Sequence, residues 1–313
     1  MQIDEKTLFL QSKIYEVKMK GKFRYHLLAI SIIAIWGVTF INTKVLILNG
    51  LNPQEIFLLR FIIAYLGVWT FSPKKLMADN WKDEMTMILL GITGGSLYFW
   101  SENTAIQLSL VNNVAFIVCN APLLTLFLGM AFSKEIKATT TIITGSVISL
   151  IGVALVIFNG SFILKLNPLG DFLALVAAGS WAVYSLVMRG MTSRYNATFL
   201  TRKVFFYGIL TILPAFIITP WQFPLGKLAE PVIWMNLLFL GVIAALICFV
   251  LWSIVIRELG ALTSANYIYL SPVTTMIASA IFLQEPVTWM SILGSALILS
   301  GLFIASKRKK NRM

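Results

Sequence analysis

The chain has 313 residues, of which 58% are hydrophobic and only 12% charged, and it carries a formal net charge of +12. Soluble domains are about 45–50% apolar and about 25% charged, and the mean hydropathy here is +0.84; the composition is that of a polytopic membrane protein and argues against a soluble enzyme. The positive charge collects at the two ends and in alternate loops, a topology pattern and not a nucleic-acid groove.

In chain order, residues 1–24 are a basic leader in which Leu10, Ile14 and Val17 share a helical face among Lys13, Lys18, Lys20, Lys22 and Arg24. Such a segment either lies on the inner leaflet as an amphipathic helix or stays an irregular leader. The apolar run after it is too long for a signal peptide and lacks a cleavage pattern, so it is expected to remain as the first span. Ten apolar runs follow, at about 25–48, 55–73, 85–106, 111–133, 138–158, 169–189, 198–220, 233–256, 262–283 and 287–306. Each is near the length of about 20 residues that crosses a bilayer. The tail, 307–313, is basic again.

Lysine and arginine set the expected orientation. Six lie in the leader and five in the tail, with Lys74, Lys75, Lys82, Lys134, Lys137, Arg189, Arg194 and Arg257 on the same side, against Lys165 and Lys227 on the other. Both ends are therefore expected in the cytoplasm of a multi-pass inner-membrane protein.

The chain also repeats itself. Ala115, Pro122, Thr125, Phe132 and Glu135 recur as Ala265, Pro272, Thr275, Phe282 and Glu285, each 150 positions on. Gly91 and Phe99 match Gly241 and Phe249 at the same offset, and Gly145, Ser146 and Gly152 match Gly294, Ser295 and Gly301 at 149. Trp36 with Trp181 and Arg60 with Arg202 extend the echo at drifting offsets. The expected fold is an all-α membrane protein of ten transmembrane helices in two inverted five-helix repeats, 25–158 and 169–306. Five spans per copy is odd, so the second copy is inverted, and inverted repeats are a transporter architecture with a site near the midplane. Pro122 and Pro272 should bend their helices and free a carbonyl at mid-depth, which is tolerated only against protein or a wetted cavity.

Ionisable groups inside spans carry the candidate chemistry, since burying a charge in hydrocarbon costs at least about 2.5 kcal/mol unless it is paired or wetted. At 1.5 Å per residue, Lys44, Arg60 and Glu102 share a layer roughly 6–8 Å below the outer boundary; Arg202 lies near the inner one. Lys44 and Arg60 either hold a substrate anion or snorkel to headgroups. Glu102, the only acid well inside a span, either exchanges a proton during transport or serves as an ion-pair partner. Trp36, Tyr98, Trp100, Trp181 and Tyr184 fall deeper than an interfacial belt and would wall a cavity for flat or amphiphilic metabolites. Asn120, with Asn42, Asn103, Asn113 and Asn266, could set specificity, although each alone more often joins helices.

Other conspicuous residues read as structural: Glu135 and Glu285 complement the dipole of the next helix, Pro286 fits a first helical position, His26 sits at the lipid boundary, Cys119 and Cys248 pack, and the paired glycines allow close helix contact within the chain or in a dimer. No phosphate-binding loop or HExxH motif is present, no span holds the two aspartates of an intramembrane protease, and no cofactor or metal is expected.

The run Trp36-Gly37-Val38-Thr39-Phe40 with Lys44, then Pro53 and Arg60-Phe61, resembles the opening of EamA-type members of the drug/metabolite transporter superfamily. Pro122 to Glu135, Trp181-Ala182 with Tyr184, and Pro272 to Glu285 followed by Gly294 and Gly301 are similar too, so the likeness covers about residues 25–306. The resemblance implies ten helices in two inverted repeats, a central cavity, alternating access and usually export of small metabolites such as amino acids. The expected function is a non-enzymatic secondary transporter of a small-molecule substrate, monomeric or homodimeric, with proton coupling as one mechanism. A channel or a non-transporting sensor is the other class.

Overall fold

The computed structural model describes residues 5–72, 75–109, 111–132, 139–158, 167–282 and 287–306. The side chains of 5–21, 111–113, 158, 275, 278–282 and 306 are outside that description, as are Lys74, Lys134, Glu135, Lys137, Lys165, Glu285, Pro286 and the tail 307–313. Among the described residues the regular structure is helical throughout.

The first helix, α1 (Glu5–Leu48), runs unbroken through the boundary expected at residue 24, so the leader's backbone continues the first span as far as it is described. Its apolar part is Lys22–Leu48. Next come α2 (Pro53–Trp69) and α3 (Trp81–Gly91), which passes through a π segment, Ile92–Ser96, into α4 (Leu97–Leu108). A break at Cys119–Asn120 separates α5 (Val111–Val118) from α6 (Ala121–Phe132), and α7 (Thr140–Phe158) follows.

The later half contains α8 (Pro168–Met191) and α9 (Ala197–Ile212), with the short α10 (Ala215–Ile218) beyond Pro214. Helix α11 (Pro231–Leu238) passes through a π segment, Phe239–Ile247, into α12 (Cys248–Leu259). Then come α13 (Ala261–Asn266), a 3-10 turn at Tyr267–Leu270, α14 (Ser271–Phe282) and α15 (Trp289–Ser306). Among the described residues, six helical stretches are long and apolar enough to cross a membrane: Lys22–Leu48, Val114–Phe132, Thr140–Ile157, Pro168–Met191, Ala197–Ile218 and Pro231–Leu259. The other expected spans are helical as α2, as α3 through α4, as α13 through α14 and as α15.

Asparagine begins four of these helices. Asn52 stands before Pro53 in a capping box with Glu55, while Asn80, Asn167 and Asn196 accept from the amides of Asp83, Gly170 and Phe199 at 2.8–3.0 Å. Each side chain meets an amide that the first turn leaves without a helical partner. Glu55, fully buried, also accepts from the amides of Gln222 and Phe223 at 2.6 and 3.1 Å. The start of α2 is thereby joined to the loop after α10.

The repeated sequence features fall on repeated breaks. Both π segments follow or contain the matched glycines: Gly91 ends α3, and Gly241 lies within the second segment. A Cβ on Gly241 would stand 2.8 Å from Ile63 and 3.1 Å from the Arg60 carbonyl, so the absence of a side chain lets the second π segment press onto α2. Pro122 and Pro272 each occupy the second position of a helix that restarts after a break. There the missing N–H costs little, because the first turn's amides have no helical partner anyway.

Helices α7 and α15 meet backbone to backbone. A Cβ on Gly145 would lie 2.5 Å from the Gly301 carbonyl oxygen and one on Gly301 2.5 Å from that of Gly145; Gly152 and Gly294 show the same reciprocity at 2.5 and 2.6 Å. Ser149 adds a hydrogen bond to the Ile298 carbonyl at 3.3 Å. Of the two uses foreseen for these glycines, the structure shows contact within the chain, which leaves no argument for a dimer through them.

Candidate functional site

A cavity of about 610 Å³, mouth included, is lined by residues of α1, α2, α4, α8 and α12 and by the two helix breaks. Trp36 and Phe40 of α1, Phe99 of α4, Trp181 of α8 and Phe249 of α12 make an aromatic wall, while Val118, Cys119, Ile268 and Ser271 come from the breaks. Its ionisable side chains are Arg60, Tyr98 and Glu102, with the Cys119 thiol.

Arg60 is 2% exposed, so it does not snorkel. Its guanidinium lies over the Phe99 ring, 4.2 Å from the centroid, a cation–π contact that replaces part of its hydration. No acidic oxygen lies within 4 Å of it among the described residues, and its Nε has no hydrogen-bond partner. One turn separates Tyr98 from Glu102 on α4, and the Tyr98 hydroxyl donates to Glu102 Oε1 at 2.6 Å. The cavity thus holds a buried cation and a buried acid that are not paired with each other, an arrangement that costs free energy unless something polar enters between them.

The aromatic wall is held by edge-on and tilted ring packing. Trp36 meets Trp181 at 5.3 Å between centroids, Trp252 at 5.1 Å and Phe249 at 5.9 Å, and Tyr98 meets Trp181 at 5.0 Å. The Trp36 indole donates to the Ala244 carbonyl of the second π segment at 2.9 Å, which ties α1 to that distortion. The Trp181 indole N–H is buried without a partner. Pro272 cannot donate to the Ile268 carbonyl four residues before it; that oxygen accepts from the Ser271 amide in the 3-10 turn, and the Cys119 thiol approaches it at 3.9 Å. A side chain from one helix break thus reaches the backbone of the other.

Four sequence candidates are placed elsewhere. Lys44 leaves the expected layer: its Nζ donates to the Ile106 carbonyl at 3.2 Å near the end of α4, where terminal carbonyls lack helical donors. Trp100 points off the outer face of α4 at 36% exposure. Tyr184 is fully buried behind Trp181, at 4.9 Å between rings, and fills the space over Gly94. Asn120 turns back on the end of α5, to the Phe116 and Ile117 carbonyls at 3.0 and 3.2 Å. Asn42 and Asn103 join helices, through Asn236 at 2.6 Å and the Pro53 carbonyl at 3.2 Å. Trp36, Arg60, Tyr98, Glu102 and Trp181 do come together.

Sequence reasoning missed a polar network at the end of the molecule where α3 begins. Asp83 accepts from Arg194 at 2.5 Å and from the Tyr195 hydroxyl at 2.7 Å, while Tyr195 in turn accepts from the Asp79 amide at 2.9 Å. Beside it Glu84 accepts from Lys203, from the Tyr207 hydroxyl and from the Ala78 amide. Burial alone would raise the Glu84 pKa, but the Lys203 and Tyr207 hydrogen bonds outweigh it and hold the carboxyl below the usual carboxylate range. Arg202 lies at the same end, donating to the Lys75 carbonyl and stacked over Trp69 and Phe199. The adjacent acids Asp83-Glu84, placed right after a capping asparagine, were the available signal.

The EamA-like transporter family profile matches residues 23–158 and again 168–307. A protein of Archaeoglobus fulgidus named as an uncharacterized transporter is 23% identical over 91% of this chain and 98% of its own. An Escherichia coli protein named as a probable amino-acid metabolite efflux pump is 23% identical over 88% of this chain and 93% of its own. A solved crystal structure superposes with a TM-score of 0.71 at 18% identity, covering 91% of this chain and 98% of that one. At that identity the likeness is one of fold.

Proposed function

Because the chain belongs to the EamA-like transporter family, and so is a membrane transporter of small molecules, we propose that it is a secondary carrier exporting zwitterionic, amphiphilic metabolites of the amino-acid class. The observation that carries this reading is the unpaired Arg60 facing the same cavity as Glu102. In it, the substrate carboxylate meets the Arg60 guanidinium, its ammonium group meets Glu102, whose Tyr98 hydrogen bond fixes the carboxylate, and its apolar part lies against Trp36 and Trp181. The name of the E. coli relative, an amino-acid metabolite efflux pump, supports the substrate class.

The same reading takes the ten helices as two inverted five-helix repeats with both ends in the cytoplasm, rocking about the cavity. The paired π segments and paired proline breaks support it, since they put matching weak points in both copies. Counterflow in proteoliposomes tests the carrier: labelled apolar amino acids should accumulate transiently when unlabelled substrate is trapped inside, whereas a channel or a sensor gives no acceleration.

A further inference from the structure

A second cavity, of about 630 Å³, lies apart from the first, between α1, α13 with its following turn, and α15. Its wall is mostly apolar, with Ile30, Leu270, Leu299, Leu302 and Phe303, and Ile30, Leu299 and Phe303 are also 42–63% exposed. The cavity therefore opens on the side of the molecule that meets hydrocarbon. Three side chains with polar groups interrupt this lining, Thr263, Asn266 and Tyr267; Thr263 and Asn266 make no side-chain hydrogen bond among the described residues.

Depth follows from the chain. Going inward from the basic end, α1 presents His26 and then Ile30, α13 presents Thr263 and then Asn266, and α15 runs from Ala305 to Leu299. At 1.5 Å per residue each series descends about 9 Å or less, within one leaflet of a hydrocarbon core about 30 Å thick. His26 Nδ1 is hydrogen-bonded to the hydroxyl of Tyr267, a lining residue, at 2.5 Å. Lys22, His26 and Ile30 are spaced i, i+4 and i+8, so they share one helix face, and Lys22 is exposed at the head of the membrane-embedded part of α1. From the rim inward the order is a cation and an imidazole, then a hydroxyl and an amide, then apolar walls.

We propose that this cavity is a binding site for one anionic phospholipid. The phosphate meets Lys22 and His26 Nε2, the glycerol esters meet Thr263 and Asn266, and an acyl chain runs down to Leu299 and Leu270. Charge complementarity selects the lipid, since a zwitterionic headgroup offers Lys22 no net negative charge. The proposal rests on membrane embedding alone and not on the transported substrate.

Native mass spectrometry of the full chain, released from vesicles of equal palmitoyl-oleoyl phosphatidylglycerol and phosphatidylcholine, reads the bound lipid and the oligomeric state together. One phosphatidylglycerol per protomer is expected, preferred by about fivefold, the equivalent of about 1 kcal/mol for one basic residue at the surface. Lys22→Gln should bring the ratio near one, and Leu302→Trp, whose indole fills the cavity, should remove both lipids. Ala305→Leu at the mouth is the alternative block if Leu302→Trp does not fold. Equal retention of the two lipids by the unaltered chain, a preference that survives Lys22→Gln, or lipid retained by the blocked variants would overturn the proposal. So would a lipid-free dimer, which would assign the cavity to a second copy.

Discussion

The Tyr98 hydroxyl lies 2.6 Å from Glu102 Oε1, one helical turn along α4 and on the wall of the central cavity. If Glu102 holds the substrate ammonium, Glu102→Gln should weaken binding of amine-bearing substrates by about 30-fold or more. Analogues without the amine should be little affected. Both counterflow and gradient-driven accumulation should fall together; retained exchange with lost accumulation would assign Glu102 to proton coupling instead.

The Glu84–Lys203 pair closes the end opposite to the Glu55 latch, and both residues are nearly fully buried. Removing one member of such a pair costs about 3–5 kcal/mol, because the other is left uncompensated. Glu84→Gln should therefore lower the melting temperature at pH 7. Since the folded-state pKa of Glu84 is held down, the pair's contribution is complete above the ordinary glutamate value of about 4.3 and is lost as pH falls through the lowered one. The gap between variant and parent should persist from pH 7 to 5 and narrow only in stronger acid; a gap that closes by pH 6 would contradict the assignment.

Cys119 lines the cavity, whereas Cys248 is fully buried and not in its wall. A small thiol reagent should inhibit transport through Cys119. Substrate should slow the inhibition and Cys119→Ala should abolish it, while Cys248→Ala should leave it unchanged. Equal inhibition of the Cys119→Ala variant would place the reactive thiol elsewhere.

Gly152 offers a different kind of test. Its added Cβ would stand 2.5 Å from the Gly294 carbonyl oxygen, whereas Gly179 has open space. Gly152→Ala should destabilise by about 1–3 kcal/mol through overpacking, and Gly179→Ala should be neutral or stabilise by up to about 1 kcal/mol through helix propensity. Thermal melts in detergent read both; equal effects would refute the backbone contact between α7 and α15.

The membrane-spanning helices were legible because hydropathy and length answer to one constraint, the thickness of hydrocarbon. The 150-residue echo marks both proline breaks and, through Gly91 and Gly241, falls beside and within the two π segments, which the sequence did not foretell; nothing in the pattern distinguishes a bend from a full restart, because that depends on where the preceding carbonyls find donors, as Ile268 does in the Ser271 amide. Depth counting grouped Lys44 with Arg60 and Glu102, yet depth says nothing of azimuth. Lys44 faces the end of α4 and Arg60 faces the cavity. Trp100 is turned outward for the same reason, one helix step from the cavity residue Phe99. The Asp83 and Glu84 network was hidden because its basic and phenolic partners come from more than 100 residues away.

The central claim is that Arg60 holds the anionic end of the substrate, and the direct measurement is the binding of the best amino acid found by counterflow, beside its carboxamide, to the parent and to Arg60→Gln. The account predicts a loss of about 30-fold or more for the amino acid, little change for the carboxamide, and partial recovery in Arg60→Lys. Equal losses for both ligands, or none for either, would contradict it.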